Sequence, residues 1–385
     1  MLPLKGITVV TIEQAIAVPF ATRQLADLGA RVIKIERPGT GDFARKYDTT
    51  VNGMSSHFVW CNRSKESLEL DLKSDNGKEA LNRLIGKADV FIQNLAPGAL
   101  ERMGLVPEEL QEKYKELIIC SLSGYGKGGS YEQKKAYDLL VQCEAGLVSI
   151  TGSEDTPSKT GISIADIAAG MYAYSGILTS LIKRGKTGEG SIVEVSMLEA
   201  LGEWMGYPAY YAAYGGKEPK RTGASHSTIY PYGPFKCGDG ETVFIGLQNE
   251  REWKEFCENI IEQPDLIDHS DFNSNYARSD NREELKKIIE ENFSKSNSDE
   301  VLDKIEKSNI ANARLNKMED FFHHQQLKDR NRWNKVDTPE GEVDALTPPA
   351  NVSGTNVVMN RVPGLGEHTE SILAEIGMEH MNQNQ

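Results

Sequence analysis

Short apolar segments alternate with helical patterns through the first half of the chain, and this alternation limits the possible folds more than any other feature. Strands are predicted at residues 7–12, 31–36, 68–72, 89–93, 117–121 and 191–196. Helices are predicted at residues 19–28 and 77–86 and from about residue 197. Since strands joined through helices usually run parallel in one sheet, the sequence predicts an α/β fold with helices covering a mostly parallel sheet.

The turn after the first strand lacks the usual dinucleotide-binding motif. Residues 13–19 contain no glycine, whereas the glycines of a GxGxxG turn let the backbone approach a pyrophosphate. The glycine-rich segment 124–129 follows a strand but does not open a helix. A Gly-Lys-Thr sequence at 185–187 has Ser180 where a P-loop has its first glycine. Nicotinamide, flavin and P-loop enzymes are therefore disfavoured.

The composition of the chain limits which binding partners and which cellular location are expected. The chain has 385 residues and a formal charge of −14, which disfavours nucleic acid and anionic membranes as partners. It opens without a signal-peptide pattern and has no apolar run long enough to span a bilayer, so we expect a cytoplasmic protein. Five scattered cysteines show no CxxC spacing, and His323 and His324 are adjacent. We therefore expect neither a disulfide framework nor a bound metal.

The composition changes after about residue 205. Aromatic residues and glycine then dominate residues 207–216, which is typical of a linker or lid and not of a regular element. A predicted strand at 242–246 and acid-rich amphipathic helices from about 250 to 310 indicate a second, smaller α+β domain. From about residue 325 the chain is predicted to be extended, with a short final helix near 370–376.

Asp166 is the one acidic or basic side chain between Lys159 and Lys183, and it stands where a helical pattern begins. It could be an N-cap, whose carboxylate accepts the free N–H groups of the first turn. It could also be a nucleophile towards a thioester or anhydride, since the positive end of a helix favours an ionised carboxylate. The spacing alone leaves both interpretations open. A serine hydrolase is less consistent, because the segment around Ser163 lacks the second glycine of a GxSxG turn.

Several motifs in a fixed order resemble the family III CoA-transferases, which include formyl-CoA transferase, carnitine CoA-transferase and the α-methylacyl-CoA racemases. The resemblance covers essentially the whole chain. Its motifs lie at residues 4–10, 28–42, 62–73, 94–104, 137–142, 165–166 and 363–369. It implies a large Rossmann-like domain of residues 1–205, completed by 325–385, and a small domain at 241–324. Residues 206–240 would then be a linker and active-site loop, and two chains would form an interlocked homodimer.

The resemblance also implies a chemistry for Asp166. The carboxylate would attack the carbonyl of an acyl-CoA to give a mixed anhydride and the CoA thiolate, which would then form an aspartyl-CoA thioester. An incoming carboxylic acid would take the CoA by the reverse sequence. The CoA thioester is thus a substrate, and no permanently bound cofactor is expected. A covalent carboxylate retains the activation of the acyl group if the site excludes water.

Positions that match the CoA pocket of the family can be named one by one. They are Ala17, Arg37, Leu70, Lys73, Asn94, Leu95, Arg102, Lys135 and Tyr137. Without the family match, each is equally consistent with a surface cation or a packing residue at a strand end. Tyr137 favours a transferase. The racemase members place a His at this position for proton transfer. An unperturbed tyrosine titrates near pH ~10 and is poorly suited to that role. An acyl-CoA epimerase and a non-catalytic CoA-binding protein remain the alternatives.

The segments 221–235, 324–333 and 344–349 most resemble the branch that acts on short dicarboxylates such as itaconate, mesaconate, citramalate, malate and succinate. The run of glycines that closes over the site of formyl-CoA transferase is absent. Arg221 and His226 are candidate partners for a second carboxylate of the substrate, although both could serve only loop structure. Gln14 matches a position near the active site and could donate a hydrogen bond to the substrate. The expected partners are an acyl-CoA and a short carboxylic or dicarboxylic acid.

Overall fold

A computed structural model describes residues 1–379 of the chain. The strands in this range are β1 Thr8–Ile12, β2 Arg31–Glu36, β3 Lys65–Glu69, β4 Val90–Gln93, β5 Ile118–Ser123, β6 Ile192–Ser196, β7 Tyr232–Lys236, β8 Thr242–Gly246, β9 Ala311–Arg314, β10 Trp333–Thr338 and β11 Gly341–Leu346. The chain divides into two compact units. The first contains residues 1–147, 160–207 and 326 onwards, and the second contains residues 148–159 and 208–325.

Helices occupy most of the remaining chain. They are α1 Ala17–Asp27, α2 Ser56–Asn62, α3 Asp75–Ile85, α4 Ala99–Arg102, α5 Pro107–Lys113, α6 Asp138–Glu144, α7 Leu147–Ile150, α8 Ile164–Thr187, α9 Met197–Trp204, α10 Gly206–Gly215, α11 Glu250–Glu255, α12 Asn275–Asp280, α13 Arg282–Phe293, α14 Ser298–Lys307, α15 Met318–Phe322, α16 Gln325–Asp329 and α17 Thr369–Glu375. Across residues 1–379, no helix is both long and apolar enough to cross a membrane.

The first unit is built on a parallel sheet with strand order β3-β2-β1-β4-β5-β6. The α/β fold predicted from the alternating pattern is therefore confirmed. Val9 of β1 lies opposite Val32 of β2 on one side and opposite Val90 of β4 on the other. Because the chain reverses its direction of winding between β1 and β4, these two strands form the topological switch point, where open α/β sheets bind ligands beyond their carboxyl ends.

Apolar side chains cover both faces of this sheet. On one face, α1, α8 and α9 pack against it through residues such as Leu25, Ala169 and Leu201. On the other face, α3 and α17 pack through Leu81 and Ile372. The strands therefore carry apolar residues on both sides, as expected of a sheet that helices bury from two directions.

The second unit is a small α+β structure. Strands β7, β8 and β9 form an antiparallel sheet in that order. Helices α11, α13 and α14 contribute Trp253, Phe293 and Ile305 to a core that also contains Phe235 and Val243 of the sheet. The strand predicted at 242–246 is confirmed without a shift.

Three local predictions are wrong. The strand predicted at 68–72 lies at Lys65–Glu69. The prediction missed its first residues because they include Lys65, which is buried, and a lysine is not typical of a strand interior. Residues Gly206–Gly215 form helix α10 and not an irregular lid. Their glycines lie mainly at the two ends, and the alanines between them favour a helix.

The tail predicted to be extended contains a hairpin instead. Strands β10 and β11 pair antiparallel, with Val336 opposite Val343 and Thr338 opposite Gly341. The two strands contain few apolar residues, so the apolar pattern of the sequence did not predict the hairpin. Gly341 has a φ of 105°, which other residues rarely adopt.

Candidate active site

The carboxyl ends of β1 and β4 are joined by the side chain of Asn94. Its amide nitrogen donates to the carbonyl oxygen of Gln14 at 3.0 Å, and its amide oxygen accepts from the Gln14 N–H at 2.9 Å. The Gln14 side-chain oxygen in turn accepts from the N–H of Phe43 at 3.2 Å. Two predicted site residues therefore meet at the switch point of the sheet. Asn94 uses both ends of its amide to fix the Gln14 backbone.

A buried group of charges lies behind this turn. Glu13 accepts from Lys34 at 3.1 Å and from Lys65 at 2.7 Å, and all three side chains are fully buried. Burial alone would raise the pKa of Glu13, but Lys34 and Lys65 outweigh it and lower the value to about 2. Lys34 also donates to Asp42 at 2.8 Å. The sequence did not predict this group, because lysines such as Lys34 and Lys65 look like exposed residues until their partners are known.

Asp42 connects the buried charges to the turn itself. Its other oxygen accepts from the N–H of Ala15 at 3.0 Å. Ala15 has a φ of 62°, in the left-handed region that non-glycine residues rarely adopt. The ion pair below the turn thus stabilises a strained backbone that leads into the first turn of α1.

Helices α1 and α8 begin at the same edge of the sheet and pack closely there. A Cβ atom at Gly170 of α8 would lie 2.5 Å from the carbonyl oxygen of Ala17 at the start of α1. Glycine is therefore required for this approach. The contact brings the first turn of α8, which carries Asp166, next to the start of α1, where Ala17 was predicted to line a pocket.

Asp166 lies inside the first turn of α8 and is not its N-cap. The helix begins at Ile164, and the residue at the N-cap position is Ser163, which forms no side-chain capping bond. Instead, the backbone N–H of Asp166 donates to the carboxylate of Asp138 at 3.2 Å. The N-cap interpretation of Asp166 is therefore wrong.

The Asp166 carboxyl lies in surroundings that disfavour its charge. Burial first, and the neighbouring carboxylate of Asp138 second, raise the pKa of Asp166 to about 7. Asp138 occupies the position at the helix end that most favours negative charge, so the helix end does not lower the pKa of Asp166 as expected. A carboxyl that titrates near neutral pH, with no cation beside it among residues 1–379, is a recognised mark of a functional group.

A tyrosine, Tyr47, lies near this carboxyl. The pKa of Tyr47 is raised to about 12 by burial and by the negative charges of Asp42 and Asp166, with Tyr137 also close enough to contribute. The ring of Tyr47 packs edge-on against His57 at 5.3 Å between centroids. Tyr137, which precedes α6, is 69% exposed. Tyr47 was not identified from the sequence, where nothing distinguished it from other aromatic residues.

The other predicted CoA-pocket residues follow the ends of neighbouring strands in the same sheet. Arg37 follows β2 and is exposed, Leu70 follows β3 and is buried, and Leu95 follows β4 and is half-buried. Lys73 is exposed beyond Leu70, and Lys135 is exposed just before Tyr137. Parallel strands end at one edge, so these residues are distributed along the same edge as Gln14 and Asn94.

Arg102 lies at the end of α4, the short helix that follows β4. A Cβ atom at Gly98 would lie 2.8 Å from its guanidinium. The guanidinium also donates to the carbonyl oxygen of Pro97 at 3.4 Å. Gly98 has a φ of 71°, so a glycine both allows this turn and leaves room for the arginine.

Comparison with known proteins decides the family. The sequence profile of CoA-transferase family III matches residues 4–369. The chain belongs to CoA-transferase family III. It is 35% identical over 378 residues to succinyl-CoA:glutarate CoA-transferase of Homo sapiens, covering 97% of this chain and 86% of the relative. It is 32% identical over 389 residues to succinyl-CoA:mesaconate CoA-transferase of Haloarcula hispanica, covering 97% of this chain and 96% of that protein.

Solved structures agree with this assignment. The chain superposes on the crystal structure of a CAIB/BAIF family protein from Brucella suis with a TM-score of 0.85 and 32% sequence identity, covering 97% of this chain and 99% of that one. The protein is therefore an enzyme of the CoA-transferase class, and CoA thioesters are its substrates. The resemblance to this family inferred from sequence motifs is confirmed.

In this family III CoA-transferase, two of the predicted substrate residues belong to the second unit. The guanidinium of Arg221 donates to the carbonyl oxygens of Ser149, Ser153 and Glu154 at 3.0, 2.9 and 2.6 Å. It thus orders the segment 149–154. Its role towards a substrate remains a prediction.

His226 also has local contacts. Its Nδ1 accepts from the N–H groups of Thr228 and Ile229 at 3.2 and 3.1 Å, and its ring stacks on Tyr232 at 5.2 Å. The imidazole therefore shapes the loop that precedes β7. Within residues 1–379, no cluster of three or more His, Cys, Asp or Glu side chains could hold a metal ion.

Proposed function

We propose that this enzyme moves CoA from succinyl-CoA, or from a similar short dicarboxylyl-CoA, to a carboxylic acid through an aspartyl-CoA thioester on Asp166. The observation that carries the proposal is the carboxyl of Asp166 on the first turn of α8, beside the start of α1 and without a cation partner within the described residues. Such a group is a nucleophile once ionised and does not lose reactivity to an ion pair. The names of the relatives, which act on succinyl-CoA with glutarate or mesaconate, support a short dicarboxylate substrate.

The proposed reaction needs no external proton donor. The Asp166 carboxylate attacks the acyl carbonyl, the C–S bond breaks, and CoA leaves as thiolate, which gives a mixed anhydride. The thiolate then attacks the aspartyl carbonyl and releases the first acid as its carboxylate. The acceptor acid reverses these two steps with its own carboxylate. Each attack generates an oxyanion, and backbone N–H groups near the site are suitable donors for it.

The exposed cations along the strand ends are the proposed contacts for the phosphates of CoA. Arg37, Lys73, Arg102 and Lys135 supply local positive charge in a chain whose formal charge is −14. Arginine suits this role because its planar guanidinium binds phosphate through two N–H groups at once. Tyr137, which is exposed, and Leu95, which is half-buried, are the proposed apolar contacts, whereas Ala17 and Leu70 are buried and would support the pocket from behind.

The acceptor carboxylic acid is proposed to bind on the side of Gln14. The Gln14 side-chain oxygen is engaged by the N–H of Phe43, so its NH2 group is the end proposed to donate to the substrate. Separately, Arg221 and His226 of the second unit are proposed to bind a carboxylate of the substrate. Succinate, glutarate, mesaconate, itaconate and citramalate are the acids to compare.

A homodimer is also proposed. The surface of α10 carries Tyr207, Tyr210 and Tyr214 with exposed fractions of 66%, 68% and 84%, and Trp204 precedes them at 45%. Exposed aromatic side chains concentrated on one short segment are unusual for a monomer and support self-association. Native mass spectrometry of the purified chain tests it, with a mass of twice 42.6 kDa expected.

The function is tested by measuring CoA transfer from succinyl-CoA to each acid with the native enzyme and with Asp166→Asn. We expect the substitution to reduce kcat by at least about 10³-fold, because loss of a covalent nucleophile removes the whole route. Incorporation of solvent deuterium at the α-carbon of the acyl group without CoA transfer would favour an epimerase instead.

The proposed CoA contacts have a test of their own. Arg37→Ala and Arg102→Ala should raise KM for the acyl-CoA with little change in kcat. The control Lys186→Ala, at the other end of α8, should change neither KM nor kcat.

A further inference from the structure

The carboxylate of Asp138 lies at the amino end of α8, although Asp138 itself is the first residue of α6. Its Oδ1 accepts from the backbone N–H of Ala165 at 2.8 Å and from that of Asp166 at 3.2 Å. Ser163, at the N-cap position of α8, makes no such bond. Asp138 therefore caps α8 from a different helix and occupies the position where the helix attracts negative charge most strongly.

The orientation of Asp138 is fixed by a buried amide. The Gln142 side chain is fully buried, and its Nε2 donates to Oδ2 of Asp138 at 2.6 Å. Its Oε1 accepts from the N–H of Thr160 at 3.1 Å. One glutamine thus holds both the capping carboxylate and the segment that leads into α8. Both oxygens of Asp138 therefore accept hydrogen bonds, which fixes the carboxylate at the amino end of α8.

Asp138 is the main charged neighbour of Asp166. Asp138 is the one charged group that acts appreciably on it among the residues described, and Tyr47 is a titratable group nearby. Helices α1 and α9 also pack against α8. In α1, Arg23 binds Asp27, and in α9, Glu199 binds the Ser196 hydroxyl while Glu203 is exposed to solvent. Two carboxyl groups therefore share one helix end without a compensating cation.

We propose that Asp138 is a positioning residue for the transfer reaction, which holds the first turn of α8 in place and, through its negative charge, adds to the effect of burial in favouring the neutral form of Asp166 until that group loses a proton to solvent. The proposal rests on the proposed function, since it assigns Asp166 the role of nucleophile. The proton is released to water or buffer before the attack. The resulting carboxylate then displaces the CoA thiolate as described above, so protons and charge balance.

A physical consequence distinguishes this role from simple capping. A negative charge close to a second carboxyl disfavours the ionised form of that carboxyl. Asp138 accepts three hydrogen bonds and is held close to Asp166, so its charge adds to the effect of burial on Asp166. Replacing Asp138 with Asn retains an oxygen that accepts from Ala165 and Asp166 but removes the negative charge. The ionisation of Asp166 should then occur at lower pH.

The experiment measures the titration of Asp166 directly in ligand-free protein labelled with 13C at the aspartate carboxyl. The Asp166 resonance is assigned from its loss in Asp166→Asn. We expect a titration near pH 7 in the native protein and a midpoint lower by one unit or more in Asp138→Asn, and no shift in the control Asp303→Asn, an exposed residue of α14. A native midpoint near the ordinary aspartate value, or an unchanged midpoint in Asp138→Asn, would overturn the proposal.

A kinetic measurement completes the test. The single-turnover rate of adduct formation with succinyl-CoA should rise with pH in the native enzyme, and the rise should occur at lower pH in Asp138→Asn. At pH 5.5 that variant should react several-fold faster than the native enzyme. Asp138→Ala, which also loses the cap, should show a lower maximal rate, and this separates positioning from charge. An identical pH profile in native enzyme and Asp138→Asn would count against the proposal.

A wrong role for Asp166 and a wrong role for Asp138 would give different results. Absence of any adduct on the native protein at every pH would contradict the proposed function. The 13C titration needs no turnover, so it would still decide whether Asp138 controls the ionisation of Asp166. If Asp138→Asn does not fold, as judged by circular dichroism, the native titration alone decides, because an ordinary midpoint there overturns the proposal.

Discussion

Gly170 of α8 lies so close to Ala17 of α1 that a Cβ atom at position 170 would be 2.5 Å from the Ala17 carbonyl oxygen and 3.1 Å from the Phe20 ring. Both helices begin at the carboxyl edge of the parallel sheet. Their separation therefore sets the distance between Asp166, one turn before Gly170, and the backbone of α1. A single glycine thus controls the geometry of the proposed nucleophile.

Gly170→Ala should damage both stability and catalysis. The added methyl meets backbone and not a flexible side chain, so the helices must separate, at a cost of about 1–3 kcal/mol. Displacement of Asp166 should reduce kcat by about 10- to 100-fold. Gly185→Ala is the matched control, because it lies in the same helix and its Cβ would meet nothing within 4 Å. Equal activity of the two variants in the succinyl-CoA transfer assay would contradict this account of the contact.

Asn94→Ala should weaken the turn that carries Gln14. The substitution leaves the N–H and carbonyl of Gln14 without their partners, which we expect to cost about 2 kcal/mol in urea unfolding. It should also raise KM for the acceptor acid. Asn259→Ala, which removes an exposed amide bonded to Glu255, is the control and should alter neither quantity. An acceptor KM unaffected by Asn94→Ala would argue against the placement of the acceptor near Gln14.

Glu13→Gln should be among the most destabilising single substitutions in the first unit. It leaves Lys34 and Lys65 buried with Asp42 as their one remaining carboxylate partner, and breaking a buried pair typically costs about 3–5 kcal/mol. Glu79→Gln removes an exposed pair with Arg83 in α3 and should change the unfolding free energy by less than about 1 kcal/mol. Urea unfolding at pH 7 compares the two. Similar midpoints would mean that the buried cluster does not stabilise the fold.

The sequence predicted those parts of the structure that follow from apolar periodicity. The strand at 31–36 could be predicted from Val32, Ile33 and Ile35, and the parallel arrangement from the alternation of strands with helices. The buried charges of Glu13, Lys34 and Lys65 could not, because a charged residue looks exposed until its partners from distant segments are known. The same limit applies to Asp166, whose capping partner Asp138 comes from another helix.

Asp166→Asn should stabilise the protein more at high pH than at low pH. A carboxyl whose pKa is raised to about 7 on folding favours the folded state while it is neutral, and this contribution is lost as pH rises from about 4 through 7. The Asn side chain of the variant does not ionise, so the variant does not lose this stability as pH rises. Because the carboxyl is partly exposed, we expect the advantage of the variant to grow by roughly 1–2 kcal/mol between pH 5 and pH 8.

Urea unfolding of the native protein, Asp166→Asn and the control Asp303→Asn at the two pH values measures this difference. The control should show no growth, because Asp303 is exposed in α14. A constant difference between native protein and Asp166→Asn at both pH values would mean that Asp166 has an ordinary pKa in the folded protein.

The central claim is that Asp166 forms a covalent thioester with CoA, and mass spectrometry of the protein after incubation with succinyl-CoA tests it most directly. We expect a CoA adduct on the peptide that carries Asp166, conversion of that adduct to a hydroxamate by hydroxylamine, and loss of both in Asp166→Ala. Adduct formation that persists in Asp166→Ala, or no adduct with any of several short acyl-CoA donors, would contradict the claim.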